Sequence, residues 1–369
     1  MDVVVADQLP REYNCSDLEQ GPIGIRPIPF IQDSDSRTSC RLGHAGAGLR
    51  FDKIELFLAQ PGSLSLHRTN VSQSRRWAKA IGAEEFYNLA LSRLTSERFT
   101  FAGLPLNRPI VMGIINATPD SFYPGSRFQV DEAIDAAFKM IEEGADILDI
   151  GGESSRPGSK GIPLQQEIDR VLPIFEKLQG CGIPLSIDTR RAQVMREAVS
   201  AGASIVNDIT ALSDDGATEV VAENPNVCVV LMHAKGVPET MQKNPQYDHV
   251  SYEIFRHLSQ RVNHCNSVGI STSRIAVDPG FGFGKTTRHN YQILRDLALL
   301  HTTGCPILVG LSRKSFLGSF SKELTSEDRL STTIAASIAA YSVGAQIHRV
   351  HDVKEIRQAL LFKHRLNRT

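Results

Sequence analysis

Apolar positions follow two different regimes along this chain. From Arg108 onward, short runs of apolar and β-branched residues alternate with longer stretches in which apolar residues recur at helical spacing. The runs are IVMGIIN (110–116), ILDIG (147–151), LSID (185–188), SIVND (204–208), VCVVLMH (227–233), IAVD (275–278), ILVGL (307–311) and IHRV (347–350). Helical patterns lie near 130–143, 163–179, 190–201, 214–223, 249–268, 290–302, 327–343 and 353–364. The runs are continuously apolar, as strands are when both faces of a parallel sheet are buried. Eight strand–helix units in about 260 residues predict an α/β fold of the (β/α)8 TIM-barrel type. A doubly wound open sheet is the architectural alternative. It usually carries a G-x-G-x-x-G turn after its first strand, and none follows here.

The first hundred residues read differently. Residues 1–50 are rich in Ser, Gly, Asp and Arg and show weak periodicity, while FDKIELFLAQ (51–60) fits a strand or a helix. In 71–95, Trp77 and Ile81 are four apart, and after a one-residue slip Phe86, Ala90 and Leu94 continue that interval. This predicts one amphipathic helix. FTFAGLPLNRP (99–109) alternates and turns, which predicts a hairpin closing the N-terminal mouth of the barrel. The expected division is therefore an N-terminal extension over 1–96, partly helical and without a chemical motif, and a barrel over 97–369. A fragment starting near Glu97 would hold all eight units and is expected to fold.

Composition narrows the class. With 41% apolar and 22% charged residues, the chain has the make-up of an ordinary soluble globular protein. Its 40 basic and 41 acidic residues leave a net charge of -1, which argues against nucleic acid or an anionic membrane as the main partner. No apolar stretch is long enough to span a bilayer, and the start, MDVVVADQLPRE, lacks a basic segment followed by an apolar one. None of the six cysteines stands at C-x-x-C spacing. A reducing cytoplasm is the expected location, and Cys228, inside an apolar run, reads as a core residue.

In such barrels the chemistry sits where the strands end. Those ends carry Asn116; Asp149 and GGESSRPGS; Asp188; Asn207 and Asp208; Met232 and His233; Asp278 and PGFGFGK; Ser312 to Ser315; and Arg349 to Asp352. Asp208 and Asp352 fit helix caps or loop polars. Asp188, Asn207, Asp278 and Lys314 offer carboxylates, an amide and an ammonium, a set suited to a flat heterocycle with donors and acceptors on its edge. Asn116, Arg349 and His351 suit a phosphate group with Mg²⁺. Two long Gly-, Pro- and Ser-rich loops, TPDSFYPGSR (118–127) and GGESSRPGSKG (151–161), fit lids that exclude water, or plain surface loops.

Taken together, NATPDSF, DIGGESSRPGS, SIDTRR, SIVNDIT, LMH, DPGFGFGK, GLSRKSFLG and RVHDV resemble the dihydropteroate synthase family over residues 99–369. The resemblance implies a transferase of folate biosynthesis and a target of sulfonamides. It would join 6-hydroxymethyl-7,8-dihydropterin pyrophosphate to p-aminobenzoate, releasing pyrophosphate and 7,8-dihydropteroate with the help of Mg²⁺. It implies a pterin pocket of Asp149, Asp188, Asn207, Met232, Asp278 and Lys314. It places the pyrophosphate at Asn116, Ser155, Arg349 and His351, with Asn116 on the metal. It places p-aminobenzoate at Phe122, Arg156, Pro157, Phe283 and Ser315. Asn116, Asp188, Lys314, Arg349 and His351 are the implied catalytic residues, and a homodimer is the implied assembly. Departures from the family pattern include Ala117, YPGSR in the first lid, Ser155, and HAKG after strand five. A pterin-dependent methyltransferase would share the carboxylates but not the diphosphate set. A non-catalytic pterin-binding protein would not need Asn116, Lys314 and Arg349 together.

Overall fold

The computed structural model describes residues 2–6, 8–10, 13, 23–31, 39–43, 48–60, 62–117, 126–154, 156, 158–321, 325 and 327–368. The eight apolar runs form eight parallel strands: Ile110–Asn116, Ile147–Gly151, Leu185–Asp188, Ile205–Asp208, Cys228–Met232, Ile275–Asp278, Leu308–Val309 and Ile347–Val350. They are called barrel strands one to eight below. Strands one to six pair in sequence order, strand seven pairs with eight, and eight pairs with one. The ring closes between six and seven through the single bridge Val277–Ile307. The open-sheet alternative is thereby excluded. Strand seven is shorter than the apolar run ILVGL, because its ladder to strand six is limited to that bridge.

Helices return from every strand. They are Ser126–Glu142, Leu164–Leu178, Ala192–Ser200, Ala217–Glu223, Val250–Ser267, Thr287–Asp296, Leu330–Ser342 and Val353–Leu366. The sixth is shorter than the pattern over 290–302. After Asp296 the chain tightens into the 3₁₀ segment Leu297–Thr303, every residue of which is buried. The predicted hairpin is present as Thr100–Phe101 and Leu104–Pro105. Its Phe101, with Leu106, packs on Ile110, Met112, Ile147, Ile205 and Leu308 and fills the N-terminal end of the barrel.

The described residues of the N-terminal region include a four-stranded sheet. Asp2–Ala6, Ser63–Asn70, Lys53–Gln60 and Gly24–Pro27 lie side by side in that order. The ambiguous segment is thus a strand, with five consecutive buried residues from Ile54 to Leu58. The single helix expected over 71–95 is two helices, Val71–Ala80 and Glu84–Thr95. Gly82, at φ +75°, lets the chain reverse after the first. The second helix then buries Tyr87, Ala90, Leu91 and Leu94 and leaves Phe86 exposed.

This sheet is packed onto the barrel by one continuous core. Phe57 stacks on Tyr252 with ring centroids 6.3 Å apart. Gly24 approaches so closely that a side chain there would meet Leu299 at 2.9 Å. Arg26 pairs with Asp296 at 2.9 Å and with Glu55 at 2.6 Å. The hydroxyl of Thr302 donates to the carbonyl of Ile25 at 2.8 Å, and the guanidinium of Arg98 donates to that of Gly304 at 2.7 Å. Among the described residues, no helix is long and apolar enough to cross a membrane.

Candidate active site

The barrel brings the strand-end polar residues to one mouth. Asp149, on strand two, is fully buried. Its Oδ2 accepts from Asn207 Nδ2 at 3.0 Å and from Arg349 Nε at 2.5 Å. Its other oxygen, Oδ1, is buried without a hydrogen-bond partner, an unusual condition for a carboxylate. Asp188 Oδ2 accepts from Arg349 Nη2 at 2.6 Å. The guanidinium of Arg349 therefore bridges two carboxylates of the set assigned to the heterocycle. By its place at the end of strand eight, Arg349 also stands beside His351 of the group suited to an anion.

Burial sets the protonation behaviour of these acids. It pushes Asp188 up to about 7, against the pull of Arg349 and with the help of the Asp149 charge beside it. It pushes Asp278 up to about 6, although Gly280 N–H donates to its Oδ1 at 2.7 Å and Lys314, Lys285 and Arg349 all favour the anion. Lys314 is brought down to about 8, first by burial and then by the Arg349 cation. Its ammonium lies 4.3 Å above the ring of Phe283.

A small apolar cluster completes this pocket. Met232 and Phe283 pack with Ile209 and Met241, and Ala234 lies against them. The loop bearing Phe283 depends on its glycines. At Gly280, φ +68°, a Cβ would sit 2.0 Å from the carbonyl oxygen of His233; at Gly284, φ +65°, 2.2 Å from that of Lys235. Buried Lys285 closes the same loop, donating to Phe283 O at 2.9 Å, His233 O at 3.0 Å and His233 Nδ1 at 3.1 Å.

The remaining assigned residues divide as follows. Asn116 is half-buried at the top of strand one, beside Gly151 of strand two. His351 is half-buried, and Ser312 Oγ lies 3.0 Å from its Nδ1. Burial, with the Arg349 cation, holds its imidazole neutral down to about 4. Arg156 is exposed on the second lid, yet its charge acts on both Lys314 and His351. Ser315 is exposed at the start of a 3₁₀ turn, Ser315–Gly318. Phe122, Ser155 and Pro157 lie outside the described residues, as does most of the first lid.

The second lid is tied down at two points. Gly158 N–H donates to Pro238 O at 2.9 Å. Glu153 accepts from Ile162 N–H at 3.1 Å and pairs with Arg190 and Arg191 at 3.2 Å each. Beneath it is a cavity of about 190 Å³, onto which Asp188, Thr189, Ile209 and Glu153 open.

Two strand-end carboxylates play supporting parts. Asp208 accepts from the backbone of Thr210 and Leu212, both at 2.7 Å, and from the Thr210 hydroxyl at 2.8 Å. It is a loop polar. Asp352 occupies the cap position of the last helix but makes no side-chain cap bond. It takes the fork of Arg313 instead, at 2.9 Å and 2.5 Å.

Sequence reasoning gave no part to Ile209, Met241, Lys285, Ser312 or Arg313. Lys285 ends the DPGFGFGK motif, and Ser312 and Arg313 open SRKS, so those three had a signal. Ile209 follows strand four inside SIVNDIT without any pattern of its own, and Met241 has none.

The family described as "Pterin binding enzyme" matches residues 112–351. The dihydropteroate synthase of Neisseria meningitidis serogroup B is 44% identical over 261 residues, covering 69% of this chain and 92% of that enzyme. The chain belongs to the dihydropteroate synthase family. The family's Escherichia coli K12 member is likewise 44% identical, over 259 residues, covering 70% of this chain and 91% of that protein. Among solved members, the Xanthomonas albilineans dihydropteroate synthase with 4-aminobenzoic acid superposes with a TM-score of 0.68 at 43% identity. It covers 72% of this chain and 96% of the other. The match to the family begins at Met112, so the N-terminal sheet lies outside it.

The carboxylate values carry an expected result. Ring N–H donors need ionised acceptors, so pterin affinity should fall as pH drops through the window set by Asp188 and Asp278, about 7 to about 6. Stability should move the other way. Both groups hold protons more tightly in the fold than at their ordinary value of 3.8. Their contribution is therefore fully present below that value and lost as pH rises through 6 to 7. Calorimetric titration of a pterin between pH 5 and 8, with thermal melts of the protein alone, checks both signs. Affinity that is flat across this range would refute the first.

Proposed function

We propose that Asp149, Asp188, Asn207 and Asp278 receive the amino-pyrimidinone edge of a pterin, with Met232 packed on the ring and Lys314 donating to its carbonyl and ring nitrogen. The chain is a transferase of folate biosynthesis. It joins 6-hydroxymethyl-7,8-dihydropterin pyrophosphate to p-aminobenzoate, with release of pyrophosphate. The observation that carries the pocket assignment is the buried Oδ1 of Asp149, an acceptor that lacks a donor. A pterin N–H supplies one. The solved Xanthomonas albilineans enzyme in complex with 7,8-dihydropteroate, 41% identical with a TM-score of 0.66, supports the same reading.

The residues suit a dissociative course. Diphosphate departs first, the carbon left behind is held electron-poor among carboxylates, and the neutral aniline nitrogen attacks it. No protein nucleophile is required, and Cys228, buried in strand five with its thiol pushed up, is not one. Arg349, His351 and Arg156 stabilise the charge that grows on the leaving oxygens. We assign the p-aminobenzoate side to Phe283, Ser315 and Arg156, together with Phe122 and Pro157 of the lids, and Ser155 to the diphosphate.

Arg349 links the two halves. Its fork lies on Asp149 and Asp188 in the structure. Pterin donors arriving at those carboxylates replace it, and the guanidinium passes to the diphosphate. Ring binding thereby prepares the anion site.

Among the described residues, no three His, Cys, Asp or Glu side chains group to hold a metal. Asn116, half-buried at the top of strand one, would hold a Mg²⁺ ion brought by the diphosphate. Such an ion would supply charge neutralisation on the leaving group. We further assign residues 97–369 to catalysis and 1–96 to an auxiliary extension. A homodimer and a cytoplasmic location complete the proposal; the unpaired state of the five described cysteines supports the latter.

Arg349→Lys tests the assignment, because it keeps the charge and loses the planar fork. Turnover should fall at least about tenfold, roughly 1.4 kcal/mol in the barrier, with the protein folded. A cap-like role for strand eight predicts lower stability with normal turnover. Wild-type turnover from folded Arg349→Lys would sink the assignment.

A further inference from the structure

Strands seven and eight end in two consecutive cross-links. Ser312 contacts His351, and the next residue on each side, Arg313 and Asp352, forms a two-bonded ion pair. Arg313 is held at φ +56°, a left-handed conformation costly for a residue with a side chain. Its backbone is fixed on both sides: the N–H donates to Thr333 Oγ1 at 3.0 Å, and the carbonyl accepts from Arg329 at 3.1 Å. Lys314 and His351 emerge directly from this double latch.

We propose that Ser312 is a positioning residue that holds His351 in the neutral form protonated on Nε2, so that the ring offers an N–H to the diphosphate. This rests on the assignment of His351 to the leaving group made above. The argument for the tautomer itself does not.

Hydrogen-bond bookkeeping fixes the tautomer. Ser312 is buried, and its Oγ accepts the backbone N–H of His351 at 3.2 Å. The same oxygen lies 3.0 Å from His351 Nδ1. A hydroxyl has one proton to give. If Nδ1 also carried a proton, Oγ would accept twice and its own hydrogen would be left without a partner in a buried place. Donation from Oγ to Nδ1 satisfies every group. The ring is neutral, so its one proton is then on Nε2.

Nitrogen-15 NMR on histidine-labelled full-length protein reads this directly. His351 in the wild type should show a protonated Nε2 and an unprotonated Nδ1. Ser312→Ala should populate the other tautomer, and Ser312→Thr, which keeps the hydroxyl, should restore the first. In turnover, Ser312→Ala should lose at least about tenfold, with KM for p-aminobenzoate unchanged and the threonine variant near wild type. His351→Gln has no tautomer to set, so adding Ser312→Ala to it should cost almost nothing further. A wild-type ring protonated on Nδ1, or a tautomer unmoved in Ser312→Ala, overturns the proposal. A tautomer that shifts while turnover does not upholds the control by Ser312. It removes His351, instead, from the diphosphate site.

Discussion

Asp278→Ala is expected to weaken pterin binding by about 2–5 kcal/mol, or about 30-fold to a few thousandfold in Kd. The side chain is 5% exposed, so a ring donor left facing alanine has no water to turn to. Lys314, Lys285 and Arg349 all favour the Asp278 anion, and removal of that charge leaves an excess of cations around a buried pocket. The change also deprives Gly280 N–H of its acceptor. Asp278→Asn separates the two effects. Its amide oxygen can still take the Gly280 N–H, while its nitrogen turns a donor toward ring donors. Both variants should therefore lose pterin affinity, and only alanine should disturb the loop from Gly280 to Lys285. Calorimetric titration with the pterin, beside thermal melts, reads the two separately. Unchanged affinity in both would remove Asp278 from the pocket.

The barrel was legible because its strands are buried on both faces, so IVMGIIN or VCVVLMH could be nothing amphipathic. The strand-end residues were legible for the related reason that chain order maps directly onto position around a closed ring. Side-chain partners were not. A strand end fixes where the Cα of Arg349 stands. Whether its long side chain reaches a phosphate or two carboxylates depends on the competing charges, and here Asp149 and Asp188 engage it. Asp352 does stand at the cap position of the last helix, but its side-chain partner, Arg313, lies 39 residues earlier in the chain, where no local pattern points to it. The break between the two N-terminal helices was hidden by an accident of spacing. Phe86 keeps the interval of Ala90 and Leu94, but the true buried face runs through Tyr87 and Leu91. Gly82 was the available signal. Met241 reaches the cluster of Met232 and Phe283 through a loop, where no periodicity operates.

Removing residues 1–96 is expected to yield an insoluble fragment, or one that melts far below the full chain. From sequence alone a fragment starting at Glu97 retains every strand–helix unit, while the apolar face over 71–95 needs a cover for which the barrel wall is the nearest candidate. The packing decides between the two. Tyr252 and Phe255 on the fifth barrel helix, and Leu299 in the 3₁₀ segment after the sixth, are each about 1% exposed or less. Phe57 stacks on Tyr252, and the backbone at Gly24 lies against Leu299 and Phe255. Uncovering three such side chains costs about 1.5–3 kcal/mol each. That is a large share of the roughly 5–15 kcal/mol by which a domain is stable, and it leaves a contiguous apolar patch. Asp296, 2% exposed, would also lose Arg26 and keep Arg295 and Ser251. The point version of the cut is Arg26→Ala in the full chain. It leaves Asp296 and Glu55 short of a partner and should cost about 1–3 kcal/mol without aggregation. These two helices begin where the loops bearing Met241 and Phe283 end, so a loosened sheet should raise KM for the pterin before it lowers the rate of the bound complex. A soluble fragment with the melting temperature and turnover of the whole chain would show that the barrel stands without its sheet.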